Sequence, residues 1–383
     1  MTALHGRASR REFIRAAAVA GGMVAAGCSP TAQPAPAAPG AAAPAKSAFQ
    51  EDWDKLVAAA KSEGKVVVNT TAGVGYRRWL DAFERAFPGV PVDHQQVNAA
   101  LDLIPRMDNE RKAGLYSWDV LITAGPIAFG RLRPAGMLDP VGPLLIHPEA
   151  TGDQGWRGGF DAGWLEKEKK WGYAFMEKVL LMAVNTDLVK DGEIKTVQDL
   201  LDPKWKGKMI LDDVRGGFTF GFMNSVRLLR GDDTVKRIIV DQEPTFSKDY
   251  RQINEAMVRG RYAISNAVQK SVLQQFLEQG LGKNIKFLDV VDLSYITLFD
   301  ALWVVNKAPH PNATKLFANW VLTKQGQEAY VKNIEQNSRR ADVPVYDQLE
   351  LPKPNQKYIR LGPEDSIPDV VKTQEYLVKL VGG

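Results

Sequence analysis

Arg215 stands beside Gly216 and Gly217 in Asp213-Val214-Arg215-Gly216-Gly217-Phe218-Thr219, between an apolar run and an amphipathic one. A guanidinium with exposed amides next to it suits a carboxylate or phosphate. Glycines let backbone approach closely, and arginine can bind an oxyanion through two parallel hydrogen bonds. A solvated surface arginine would carry the same neighbours. Thr70, Thr71 and Tyr76 flank a polar, glycine-bearing turn, and Thr123 with Ala124 opens another at Thr123-Ala124-Gly125-Pro126. Their hydroxyls and amides serve either a pocket or the turns themselves. Bond-making chemistry has no comparable signal. His5, His94, His147 and His310 are scattered, none in a His-Glu-x-x-His motif, and neither a Gly-x-Ser-x-Gly elbow nor a phosphate-loop motif occurs. The expectation is binding without turnover, with no catalytic residue, metal or cofactor. A secreted hydrolase using a carboxylate pair is the rival class.

These candidates need strands to aim them. Glu51 to Glu63 has helical spacing, Gly64 breaks it, and Lys65 to Thr70 reads as a buried parallel strand. An amphipathic helix follows from Tyr76 to Phe87, then a strand near Val90 to Val92. The unit repeats with a helix from Leu101 to Gly114 and a strand from Trp118 to Thr123. Farther on, strands are expected at 178–184, 209–213, 262–266 and 298–305. Helices are expected to Leu229, at 253–260, from about Val268 and at 313–322. Alternation of this kind implies an α/β fold with parallel sheets, whose ligands sit beyond the carboxyl ends of the strands. Thr70, Thr71, Thr123 and Ala124 fall at such ends.

The N-terminus is an address. Ser9-Arg10-Arg11-Glu12-Phe13-Ile14 has the form of a twin-arginine export signal, and the apolar run from Ala16 to Gly27 is 12 residues long. A spanning helix needs about 20 apolar residues, so the run reads as a signal-peptide core, giving a signal over 1–27. It ends in Val24-Ala25-Ala26-Gly27-Cys28, which resembles a bacterial lipobox. That likeness implies lipidation of Cys28, the only cysteine in the chain, and attachment to the outer face of the cytoplasmic membrane. Residues 28–47 are rich in Ala and Pro and read as a tether.

From Ala48 to Gly383 there are 336 residues, enough for two lobes. The formal charge of +4 falls to about +1 once Arg7, Arg10, Arg11 and Arg15 are set against Glu12 and removed with the signal. With no basic block left, nucleic acid is excluded as a partner. A lone cysteine also excludes disulfides and thiolate metal sites.

Four segments together resemble a known family: Leu201-Asp202-Pro203-Lys204-Trp205-Lys206-Gly207-Lys208, Val304 to Ala313, Phe317 to Gln327, and Arg339-Arg340-Ala341-Asp342-Val343. The chain is similar to periplasmic binding proteins of ABC importers, in the ferric-iron-type branch of extracellular solute-binding proteins. The resemblance implies a two-lobed periplasmic-binding-protein fold of type II, with the ligand cleft between lobes. Lobe 1 would comprise 48–180 plus 296–335, and lobe 2 would comprise 181–295 plus 336–383. It implies a monomer that delivers a small-molecule ligand to an ABC permease, or a ligand module for a sensor. Trp205 is expected on a lobe surface, and Asn312 as a helix N-cap after Pro309 and Pro311. Iron-binding members carry adjacent tyrosines where this chain has Ser265-Asn266-Ala267-Val268-Gln269. Fe(III) favours anionic oxygen such as phenolate, so an anionic organic ligand is expected and a ferric complex is the alternative. Asn266 and Gln269 become candidate contacts. Tyr295 and Phe299 would lie at one interlobe crossing. Glu177 would precede the other, holding either a ligand amine or a hinge salt bridge.

Overall fold

The computed structural model describes residues 47–97, 103–215 and 218–382. The export signal, Cys28, nearly all of the tether, Gly216 and Gly217 lie outside the described residues.

Strand Val66–Thr71 is the centre of the first lobe. It pairs in parallel with Val92–Val97 on one side and Val120–Thr123 on the other, and Ala301–Val305 runs antiparallel beyond. Short strands Leu138–Asp139 and Tyr173–Ala174 both pair with Ala301–Val305, completing six strands among the described residues. Alternate side chains go to opposite cores. Val66, Val68, Val120 and Ile122 meet the helices on one face, while Val67 and Leu121 meet Leu103 and Met107 on the other. Both faces are therefore covered, which explains the continuous apolar runs. One core is aromatic: Trp79 lies 5.9 Å from Trp320 and 5.4 Å from Tyr330, ring centre to ring centre. The strand expected at Val90–Val92 begins at Val92 and runs through polar residues to Val97. It is the sheet's edge, so its sequence need not be apolar.

The second lobe repeats the plan. Its sheet is ordered Ile285–Leu288, Met182–Asn185, Ile264–Ser265, Met209–Asp212 and Thr245–Ser247. Met209 and Leu211 face one core and Ile210 the other. Trp205, expected on a surface, is buried in this lobe's core, because the turn Pro203–Trp205 folds it inward.

One expected strand proves to be a pair: the run expected at 178–184 divides into Lys178–Leu180 and Met182–Asn185, in different sheets. The strand expected at 298–305 runs only from Ala301 to Val305, and Tyr295–Thr297, a strand not expected, precedes it in another sheet. Lys178–Leu180, Tyr295–Thr297 and Arg360–Leu361 form a three-stranded hinge sheet, with Tyr295 opposite Leu180 and Thr297 opposite Lys178. The chain crosses between lobes at these breaks. Uninterrupted apolarity from Val179 to Val184 hid the first break.

Helix Pro311–Leu322 begins one residue before its expected cap. Pro311 occupies the first turn, where a missing N–H costs nothing, and His310 is the N-cap. Asn312 instead donates its side-chain amide to Glu63 Oε1 at 2.6 Å, tying the helix to Ala48–Glu63. Late in the chain, Arg339 and Arg340 are buried against the first lobe. Arg340 Nη1 donates to the carbonyls of Glu149 and Leu322, and Arg339 Nη1 to that of Ala174. The C-terminal helix Ile367–Leu380 then packs on Thr219–Arg230 in the second lobe. Among the described residues no helix is long and apolar enough to cross a membrane.

Candidate ligand-binding site

A cleft of about 180 Å³ opens where the hinge meets both lobes. The crossing strand contributes Lys178 to Leu181, and the first lobe contributes Ile334, Glu335 and Gln336 from the end of helix Lys324–Ile334. The second lobe contributes Phe218, Asn266 and the start of helix Lys270–Leu277, and the C-terminal segment adds Tyr346 and Glu350. Phe218 is poised by Asp212, whose carboxylate accepts its backbone N–H at 2.8 Å.

Opposite charges meet here. The Lys270 ammonium donates to Asp347 and, at 2.6 Å, to Glu350 Oε1. Burial opposes its charge, but these two carboxylates outweigh burial and hold its pKa above the ordinary value. Lys178 has no such partner. Its nearest carboxylate oxygen, Glu350 Oε2, is 4.0 Å away, and 17% of its side chain is exposed. Burial lowers its pKa, with Glu350 opposing and Lys270 reinforcing that shift. Gln336 Oε1 is buried with no hydrogen-bond partner among the described residues.

Behind the first-lobe wall, Asp300 is enclosed. Tyr76 donates to both of its oxygens at 2.8 and 2.9 Å, and Tyr330 donates at 2.6 Å. Burial raises the Asp300 pKa to about 6, against the pull of the two hydroxyls and of the Lys178 charge. Tyr76 and Tyr330 are pushed up in turn, by burial and by the Asp300 charge.

Of the residues singled out by sequence, Asn266 and Gln269 line the cleft. Asn266 is already engaged: its Oδ1 accepts from the Asp212 amide at 3.0 Å, and its Nδ2 donates to Thr219 Oγ1 at 2.7 Å. Phe299 borders the site, with the Lys178 ammonium 5.6 Å from its ring centre. Tyr76 reaches the site only through Asp300. The other described candidates lie outside the cleft lining. Thr70 Oγ1 contacts His94 Nε2 at 2.8 Å, and Thr71 sits at the end of the same strand. Thr123 ends its own strand, and its carbonyl accepts from Trp303 Nε1 at 2.9 Å. Ala124 is the N-cap of the short turn Gly125–Ile127. Tyr295 is buried edge-on against Phe222, ring centres 5.0 Å apart. Arg215 is 52% exposed and lies 3.3 Å from Asp213 Oδ2, two residues away. Glu177 faces three arginines: Arg157 at 3.4 Å, Arg360 at 3.7 Å and Arg339 at 4.0 Å. Arg157 and Arg339 belong to the first lobe, and Arg360 to the hinge sheet.

Sequence reasoning missed Lys178, Lys270, Gln336 and Glu350. The one local signal is Lys178 itself, a lone charge heading the apolar run Val179-Leu180-Leu181-Met182.

Residues 78–340 match the sequence model described as bacterial extracellular solute-binding protein. None of the curated proteins matches the sequence. Among solved structures, the fold is similar to iron-bound HitA from Pseudomonas aeruginosa, at TM-score 0.61 and 16% identity over 82% of this chain and 99% of that one. It is similar to AfuA from Actinobacillus pleuropneumoniae with fructose-6-phosphate bound, at TM-score 0.58 and 16% identity over 83% and 98%. A spermidine/putrescine ABC transporter substrate-binding protein, PotD from Streptococcus pneumoniae, aligns at TM-score 0.61 and 13% identity over 83% and 98%. At these identities the likeness is one of fold. These three proteins are named for iron, a sugar phosphate and polyamines, so the shared architecture leaves ligand choice to each protein's own cleft.

Proposed function

Because the chain belongs to the bacterial extracellular solute-binding protein family, we propose that it captures a small anionic organic solute and delivers it to the permease of an ABC importer. The observation that carries this reading is the cleft, lined from both lobes and from the strand joining them, with an ammonium inside whose nearest carboxylate oxygen is 4.0 Å away, beyond hydrogen-bond reach. A solute held there touches both lobes only when they approach. Binding therefore shifts the population toward the closed form, which the permease reads. No chemistry on the solute is required, in keeping with a non-enzymatic family.

The lobes divide at the two crossings, near residues 180 and 295, and the segment Ser338–Asp342 moves with the first lobe to which it is bonded. Lipidation of Cys28 keeps the body at the outer face of the cytoplasmic membrane. More than one acyl chain makes such attachment lasting, at roughly 0.8 kcal/mol per buried methylene.

The test is a thermal-shift screen of the purified chain against carboxylates, amino acids, phosphonates, sugars, polyamines and ferric complexes. A solute at 100 times its dissociation constant stabilises by about 2.7 kcal/mol. A stabilising anion supports the reading, and a screen in which only cations or neutral sugars act removes the anionic specificity.

A further inference from the structure

We infer that the cleft contains a subsite for a carboxylate with a neighbouring hydroxyl or amino group: Lys178 takes the carboxylate, and Gln336 accepts the hydrogen bond of the neighbouring donor. The inference rests on the capture reading above and specifies the solute's class.

Lys178 carries three N–H donors and makes no hydrogen bond among the described residues. Holding an ammonium largely out of water without one is costly. Glu350 does not relieve the cost: Oε1 is committed to Lys270 at 2.6 Å, and Oε2 stands 4.0 Å from Lys178, beyond hydrogen-bond reach. A carboxylate entering the cleft supplies what is missing. Helix Lys270–Leu277 adds to the attraction, since its N-cap, Gln269, makes no side-chain capping bond and its first residues line the same space. Gln336 contributes the complementary group. Gln336 lines the cleft and its Oε1 has no donor among the described residues, so a turn of the side chain would offer that acceptor to an O–H or N–H on the solute.

Size and charge narrow the class. The cleft, about 180 Å³, is small and suits a short-chain acid. Two ammoniums, Lys178 and Lys270, face two carboxylates, Asp347 and Glu350, so what Lys178 lacks is a hydrogen-bond acceptor rather than a countercharge. One carboxylate supplies that acceptor with the least added charge, whereas a dianionic phosphate would bring twice the excess. Glu350 then acts as a resident competitor whose negative field weakens the incoming anion.

Calorimetry on the full chain, with two- to six-carbon hydroxy- and amino-carboxylates and their unsubstituted parent acids, tests the subsite. Glycolate and lactate against glycine and alanine distinguish the hydroxyl from the amine. At least one substituted acid is expected to bind one per chain, about tenfold or more tighter than its unsubstituted parent. Lys178→Met should weaken that acid by about ten- to a hundredfold, and Glu350→Gln should tighten it. Lys178→Met should also raise the melting temperature of the unliganded chain, because it removes a buried charge that makes no hydrogen bond and has only a distant carboxylate for a partner. A lowered melting temperature would show the ammonium to be a structural partner and overturn the subsite. Equal affinity in Lys178→Met would do the same. Binding of a sugar, polyamine, phosphate or ferric complex, with no carboxylate bound, overturns the subsite and leaves capture standing. A chain that binds no solute of any class overturns both.

Discussion

Asp300→Asn should make the chain's stability markedly less sensitive to pH between 4 and 7. In the parent, burial lifts this carboxyl from its ordinary 3.8 to about 6, even with the Tyr76 and Tyr330 hydroxyls donating to it. A group whose folded pKa is raised contributes stability that is fully present below its unfolded pKa. That contribution is lost as pH rises through the folded value. The rise from 3.8 to about 6 amounts to about 3 kcal/mol, at 1.36 kcal/mol per pH unit. Asparagine keeps an acceptor for Tyr76 and offers an amide to Tyr330, but it never ionises. The assay is urea denaturation of parent and variant at half-unit steps from pH 4 to pH 7.5. Other titrating groups cancel in the difference between the two proteins. Stability of the variant minus that of the parent should climb by about 2.5 kcal/mol across the range, most steeply near pH 5 and levelling off above pH 6. A flat difference would refute the reasoning, because it would mean that Asp300 ionises inside the first lobe at no cost.

Other outcomes follow from the same account. Cys28→Ala should release the protein from membranes; a variant that sediments with the membrane fraction as the parent does would end the lipid-anchor reading. Ferric citrate should raise no tyrosinate-to-iron charge-transfer band. Asn266 already spends its amide on Asp212 and Thr219, and Ser265-Asn266-Ala267-Val268-Gln269 offers no phenolate. A visible band with one iron per chain would reverse that expectation.

The α/β architecture was legible because each lobe buries both faces of its sheet. Val66-Val67-Val68 and Met209-Ile210-Leu211 are continuous apolar runs whose neighbours alternate between two cores. The polar edge strand Val92–Val97 was only partly legible, since an edge needs no apolar run. The first crossing was read as a single strand, because Leu181 is nearly as buried as the residues around it; the second was expected near Tyr295 and Phe299, but its own strand Tyr295–Thr297 was not. Asn266 and Gln269 were reached through family resemblance. Lys178, Gln336 and Glu350 were not, because residues 178, 270, 336 and 350 meet only through the fold and share no spacing along the chain. Thr70 and Thr123 illustrate the converse. They lie at strand ends, as ligand contacts would, yet Thr70 spends its hydroxyl inside the lobe and both remain outside the cleft.

The central claim is that a solute in the cleft draws the two lobes together. Cys28 is the only native cysteine, so a Cys28→Ala background accepts one label in each lobe, at Ala72→Cys in the first and Lys248→Cys in the second. Both positions are exposed and outside the cleft lining. Electron–electron resonance between spin labels there reports the interlobe distance directly. With the solute that most stabilises the chain, the distance distribution should shorten and narrow. A distribution unchanged at saturating solute would contradict capture between the lobes.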